Sequence, residues 1–149
     1  MKIASQTKET VVVLSPSGKA AKTARWAITM TKWLITISRQ AGVKWVLVEF
    51  GGVTGAESRG IVDMIAIRKN HKQIEGLKRG DLFDIVLIQT KGGSAAPPST
   101  DDIHRLKAVA KYHKANAVVL AEWKIGSKPN LYRLDGVDWT PVKAADIFG

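Results

Sequence analysis

The hydrophobic and polar positions of this 149-residue chain follow two different periods. Between residues 20 and 41, Lys22, Arg25, Thr29, Lys32, Thr36 and Arg39 recur at steps of three and four, which sets them on one polar stripe of a helix. Trp26, Met30, Trp33, Leu34 and Ile37 fall elsewhere around the wheel, so the remaining circumference is apolar. Gly42 follows, at a place where helix ends favour glycine. Upstream, "TVVVL" reads as strand-like and "SPSG" as turn-prone. Downstream, "VKWVLVEF" is a β-branched and aromatic run bounded by glycines, hence a strand.

The segment "GGVTGAESRG" then reads as a loop carrying Glu57 and Arg59. In "IVDMIAI" every position but Asp63 is apolar, which suits a strand covered on both faces. A carboxylate buried in such a run is costly without a partner. Residues 68 to 80 form a basic connection, and "DLFDIVLIQTK" is the next strand. Its period of two puts Phe83, Ile85, Leu87, Gln89 and Lys91 on one face and Asp84, Val86, Ile88 and Thr90 on the other. Gln89 and Lys91 therefore project together, just before the turn-forming loop "GGSAAPPS".

A helix follows over residues 99 to 115, with Ser99 or Thr100 as its cap, Asp101 and Asp102 at its positive end, and Ile103, Leu106 and Ala110 as a core stripe. "AVVLAEWKI" is a further strand, "NLYRL" a candidate to pair beside it, and "VDWTPVKAADIFG" is too mixed to assign. The order helix, three strands, helix, strand predicts one α/β domain over residues 1–149, with a mixed central sheet flanked by helices. Residues 20–125 form its core, and residues 1–19 form a flexible or edge-strand N-terminal segment.

Composition narrows the chemistry. With 45% hydrophobic and 24% charged residues the chain has the balance of a folded protein, and with no cysteine it has neither a disulfide framework nor a thiolate metal site. No run approaches the roughly 18 apolar residues of a membrane span, and the first residues lack a signal-peptide pattern, so a cytoplasmic protein is expected. The net charge of +10 favours polyanionic partners, and it is concentrated: residues 1 to 44 hold eight Lys or Arg against one Glu. Candidate phosphate contacts are Arg59, Arg68, Lys69, Lys72, Lys78 and Arg79 around the basic connection, and Arg105, Lys107, Lys111 and Lys114 on the second helix. His71, His104 and His113 are too scattered for a zinc site. Trp26, Trp33 and Trp45 are expected in the core, and Trp123 and Trp139 are left open.

If the strands holding Asp63 and Gln89 pair as a hairpin, Asp63, Gln89 and Lys91 meet at one spot. A carboxylate and an amide oxygen there suit a hard divalent cation, and a neighbouring ammonium can orient water toward a phosphodiester. The stretch "GIVDMIAI…FDIVLIQTKGG", in that order of elements, resembles the PD-(D/E)XK, or restriction-endonuclease-like, nuclease superfamily. The resemblance covers about residues 20 to 125 and implies an α-β-β-β-α-β core. It also implies a Mg²⁺ (or Mn²⁺) site in which Asp63 matches the motif aspartate, Gln89 stands where Asp or Glu is usual, and Lys91 matches the lysine. Val62 replaces the proline before the aspartate. Gln-x-Lys is the form in Mrr-type endonucleases, while the size is similar to archaeal Holliday-junction resolvases.

The resemblance thus implies a metal-dependent endonuclease acting on DNA, branched or modified, as a homodimer. The competing reading is an inactive nuclease-fold module that binds nucleic acid. Glu57 is a candidate catalytic and metal-binding residue that would supply the charge Gln89 lacks, or else it pairs with Arg59 or a lysine at the surface. Asp84 is a rival ligand, but parity turns it away from Gln89 and Lys91, toward capping the strand start or pairing with a lysine.

Overall fold

A computed structural model describes residues 16–50 and 60–149. The "TVVVL" segment, Glu57 and Arg59 lie outside the described residues. The elements run α1 (Pro16–Ser38), β1 (Val46–Glu49), β2 (Met64–Asn70), β3 (Leu82–Gly92), α2 (Thr100–Tyr112), β4 (Ala117–Trp123), β5 (Asn130–Asp135), β6 (Asp138–Val142) and α3 (Ala144–Phe148). The strands form one open six-stranded sheet in sequential order. It is mixed: β3 and β4 are parallel and every other neighbouring pair is antiparallel.

The sheet has a helix-bearing core on each face. On one face Ile28 and Ile35 of α1 and Phe148 of α3 pack against Met64, Ala66, Val86, Ile88, Val119 and Ala121. On the other, Leu106 of α2 packs against Leu87 and Val118, with Ile65 and Ile85 beside them. The alternation along β3 thus sends Val86 and Ile88 toward α1 and Leu87 toward α2.

Residues 16–18 of the expected turn "SPSG" are instead the start of α1, since proline suits the first helical turn, where its missing N–H would have no partner anyway. The expected tryptophan core holds only for Trp45. Trp26 and Trp33 are 48% and 41% exposed. The helix turns the opposite side inward, burying Ala27, Ile28, Thr31 and Ile35; the small Ala27, and Thr31 with its hydroxyl donating to the Ala27 carbonyl at 2.7 Å, allow close packing.

Helix α2 is capped as expected: Ser99 Oγ accepts from the Asp102 N–H at 3.1 Å and Asp102 Oδ2 accepts from the Ser99 N–H at 3.0 Å. The tail that the pattern left unassigned is β6 and α3. Its anchor is Phe148, fully buried, with its ring edge-on to Trp45 at 5.4 Å and its carbonyl accepting from Trp45 Nε1 at 3.0 Å. Two residues 103 positions apart thereby close one side of the core.

Because the Phe148 ring has no exposed surface to lose gradually, Phe148→Ala is expected to lower unfolding free energy by about 3–5 kcal/mol. Urea denaturation followed by circular dichroism checks this. A cost below about 1 kcal/mol would mean that the tail is peripheral to the core.

Candidate functional site at the end of the central strands

The parallel pair β3–β4 is pinned at its start by Asn116. Its N–H donates to the Ile85 carbonyl at 2.7 Å and its side-chain oxygen accepts from the Ile85 N–H at 2.7 Å. From that clamp the register runs Val86↔Ala117 to Gly92↔Trp123, so Lys91 lies opposite Glu122. Both side chains are on the α2 face, two positions beyond Gln89 and Leu120. Lys91 Nζ donates to Glu122 Oε2 at 3.0 Å, with side-chain exposures of 11% and 22%, and stands 3.4 Å from the Gly93 carbonyl oxygen. The hydrogen bond from Lys91, followed by its positive charge, that of Lys124 and a hydrogen bond from Tyr132, holds the Glu122 carboxyl below its ordinary value of 4.5 against the opposing effect of burial.

Asp63 immediately precedes β2. Its N–H donates to the Ile88 carbonyl at 3.0 Å and its carbonyl accepts from the Phe50 N–H at 2.9 Å, so the residue is stitched between β1 and β3. Its Oδ2 accepts from the Thr90 N–H at 2.7 Å and from Thr90 Oγ1 at 3.2 Å. The carboxylate therefore abuts the peptide joining Gln89 to Thr90, which brings the first of the two strands to the end of the second. The Oε1 atom of Gln89 is buried and accepts no hydrogen bond from any described residue. A buried acceptor left so costs about 1–3 kcal/mol.

The paired glycines have a packing role. A Cβ on Gly92 would lie 3.0 Å from both Cγ2 and the carbonyl oxygen of Thr23 on α1, so only glycine lets the helix approach here. Gly93 takes φ +59° and donates its N–H to the Trp123 carbonyl at 2.8 Å, turning the chain off the sheet.

The other sequence candidates divide. Asp84 is structurally paired, though with no lysine: it accepts from Arg68 Nε at 3.1 Å and Asn70 Nδ2 at 3.0 Å. Arg68, expected among the phosphate contacts, is committed to that ion pair, with its guanidinium 4.7 Å from the Trp45 ring centre. Lys69, Lys72, Lys78 and Arg79 on and beyond the β2–β3 hairpin are exposed, as are Arg105, Lys107 and Lys111 on α2. Arg79 Nε donates to the His71 carbonyl at 3.1 Å, bracing the hairpin. Among the described residues no three His, Asp or Glu side chains converge on one point.

Glu122, the partner of Lys91, is not among the residues that the sequence pattern singles out. Its signal was there: in "AVVLAEW" it is the one charge in an apolar strand, on the same parity as Val118 and Leu120. What could not be read was the parallel register that sets it against Lys91. No family model matches the chain, and no curated protein or solved structure is significantly similar to it.

Glu122, held by Lys91, and Glu49, held chiefly by Lys32 at 2.9 Å and then Arg25 at 3.0 Å, both have carboxyls lowered from 4.5. Each favours the folded state when ionised. That stabilisation is complete above the unfolded value of about 4.5 and is lost as pH falls through the lower folded values. Glu122→Gln is therefore expected to destabilise the protein at pH 7, where it leaves the Lys91 ammonium without its carboxylate, and to flatten the fall in stability below about pH 4.5. Thermal unfolding between pH 3 and 7 measures both effects. A variant curve parallel to wild type would show that the pair carries no linkage.

Proposed function

We propose that this chain is a metal-dependent endonuclease of the restriction-endonuclease-like class, acting on DNA. The observation that carries the reading is the buried Gln89 Oε1, without a partner among the described residues, on the same face of β3 as the Lys91 that pairs with Glu122, on a strand whose end is touched by the Asp63 carboxylate. The element order supports it: a helix, an antiparallel three-strand meander, and a helical crossover to a strand parallel to the third. The residues also lie at the carboxyl ends of the two parallel strands, where open α/β sheets commonly place their ligand sites.

Two carboxylates and an amide oxygen suit a hard cation such as Mg²⁺ or Mn²⁺ in kind, and an acceptor otherwise without a partner is a reason for one to bind. Asp63, Gln89 and Glu122 would hold it, and Glu122 supplies the negative charge that Gln89 lacks. When bound, the ion supplies Lewis-acid polarisation of the phosphodiester. The chain's own part is positioning. Lys91, its amine fixed by Glu122, orients the attacking water, and the exposed Lys69, Lys72, Lys78, Arg79, Arg105, Lys107 and Lys111 hold phosphates without reading bases. A homodimer, presenting two such sites, would cut both strands.

The second reading, a module that binds nucleic acid without cutting it, is favoured by the engagement of Lys91 with Glu122 and of Asp63 Oδ2 with Thr90. Incubation with Mg²⁺ or Mn²⁺ and a panel of linear and branched DNAs, with and without chelator, separates the two. Cleavage that chelator abolishes is the expected result, and binding without cleavage would select the second reading.

Asp63→Ala and Lys91→Ala should each abolish cleavage while leaving DNA affinity within a few fold, because the basic surface supplies most of the binding. Unfolding curves establish that the variants are folded. Retained cleavage in either would refute the assignment. Gln89→Glu should preserve or strengthen Mn²⁺ affinity measured by calorimetry, and weaker binding would mean that Gln89 does not face the ion.

A further inference from the structure

Helix α1 carries Lys19, Lys22, Arg25 and Lys32 and no acidic residue. Its outward face is also aromatic, with Trp26 and Trp33 half-exposed. Seven residues apart, the two indoles lie on the same side of the helix, about 10 Å from one another along its axis. The only carboxylate paired with this face among the described residues is Glu49, shared between Arg25 and Lys32, so the surface keeps a positive balance.

The inner side of the Trp26 ring is stacked on Trp123, at 6.5 Å between centroids and 26° between planes, while Trp123 itself is buried. Trp26 is thus braced by Trp123 while remaining 48% exposed. Trp123 is the register partner of Gly92, one step along the strands from the Lys91–Glu122 pair, and Gly92 is also where Thr23 of α1 touches the sheet. The aromatic, cationic face therefore begins at the same end of β3 and β4 as the candidate site.

We propose that this face binds single-stranded DNA, with unpaired bases stacking on Trp26 and Trp33 and the neighbouring phosphates held by the exposed Lys22. Within a duplex both faces of each base are already stacked, so an indole platform gains contacts only from unpaired nucleotides. A second copy of α1 would bring cations against cations, which makes the face a poor self-association surface. The proposal rests on the nucleic-acid reading above but not on catalysis, and it narrows the ligand class to DNA with unpaired nucleotides.

The test is fluorescence anisotropy in chelator, using the full chain with a labelled oligonucleotide as single strand and as perfect duplex. Wild type is expected to bind both. Trp26→Ala and Trp33→Ala should each weaken single-strand binding by roughly 5- to 150-fold, the effect of removing one stacking ring, with duplex affinity unchanged. Trp26→Phe, which keeps a ring, should recover most of the single-strand affinity and guards against a folding defect in Trp26→Ala. Equal losses on both DNAs, or no loss on the single strand, would overturn the platform while leaving the nuclease reading intact. Failure of wild type to bind either DNA would overturn both. A change in sedimentation of the tryptophan variants in place of a change in DNA binding would assign the face to self-association and overturn the proposal.

Discussion

The parallel register between β3 and β4 is the constraint from which the rest of the molecule follows. It is set at one end by Asn116, which satisfies both the N–H and the carbonyl of Ile85, and held at the other by Lys91 and Glu122. An ammonium that is 11% exposed is costly to leave without a counter-charge, so a slip of one residue would turn Glu122 onto the α1 face and leave Lys91 without its partner. With that register fixed, Val86, Ile88, Val119 and Ala121 form the floor for α1, and Leu87 and Val118 form the floor for α2. The polar ends of the same strands are left side by side.

What those ends can do depends on a second junction, where Asp63 meets β3. Its carboxylate takes the N–H of Thr90, so β2 delivers an acid to the residue between Gln89 and Lys91. Asp63, just before β2, thus reaches the backbone between Gln89 and Lys91, while Glu122 of β4 pairs with the Lys91 amine. The α1 helix closes the opposite face at the same level because Gly92 admits it, and this brings the Trp26–Trp123 stack to the edge of the same region. A catalytic reading of the polar ends and a strand-binding reading of α1 are thus consequences of one packing arrangement.

Much of this was legible from the sequence because it rests on local periods. Parity along β3 separates Gln89 and Lys91 from Asp84, and it does so whatever the sheet's topology. Glycines and caps locate the strands and α2 for the same reason. What was not legible depends on partners distant in the chain. Glu122 becomes a site residue only through a parallel register fixed across a helical crossover. The tail reads as mixed because its one fully buried residue, Phe148, packs against the distant Trp45. Trp26 and Trp33 read as core because α1 is apolar around more of its circumference than the sheet covers, so composition alone could not say which part faces in.

The central claim is that Asp63, Gln89 and Glu122 converge on one divalent cation. Crystals grown with Mn²⁺ and measured at an energy that reveals its anomalous scattering test this most directly. The account predicts a single strong peak within bonding distance of Gln89 Oε1 and of an oxygen of Asp63. A well-ordered site with no peak there, or a peak bound by other residues, would contradict it.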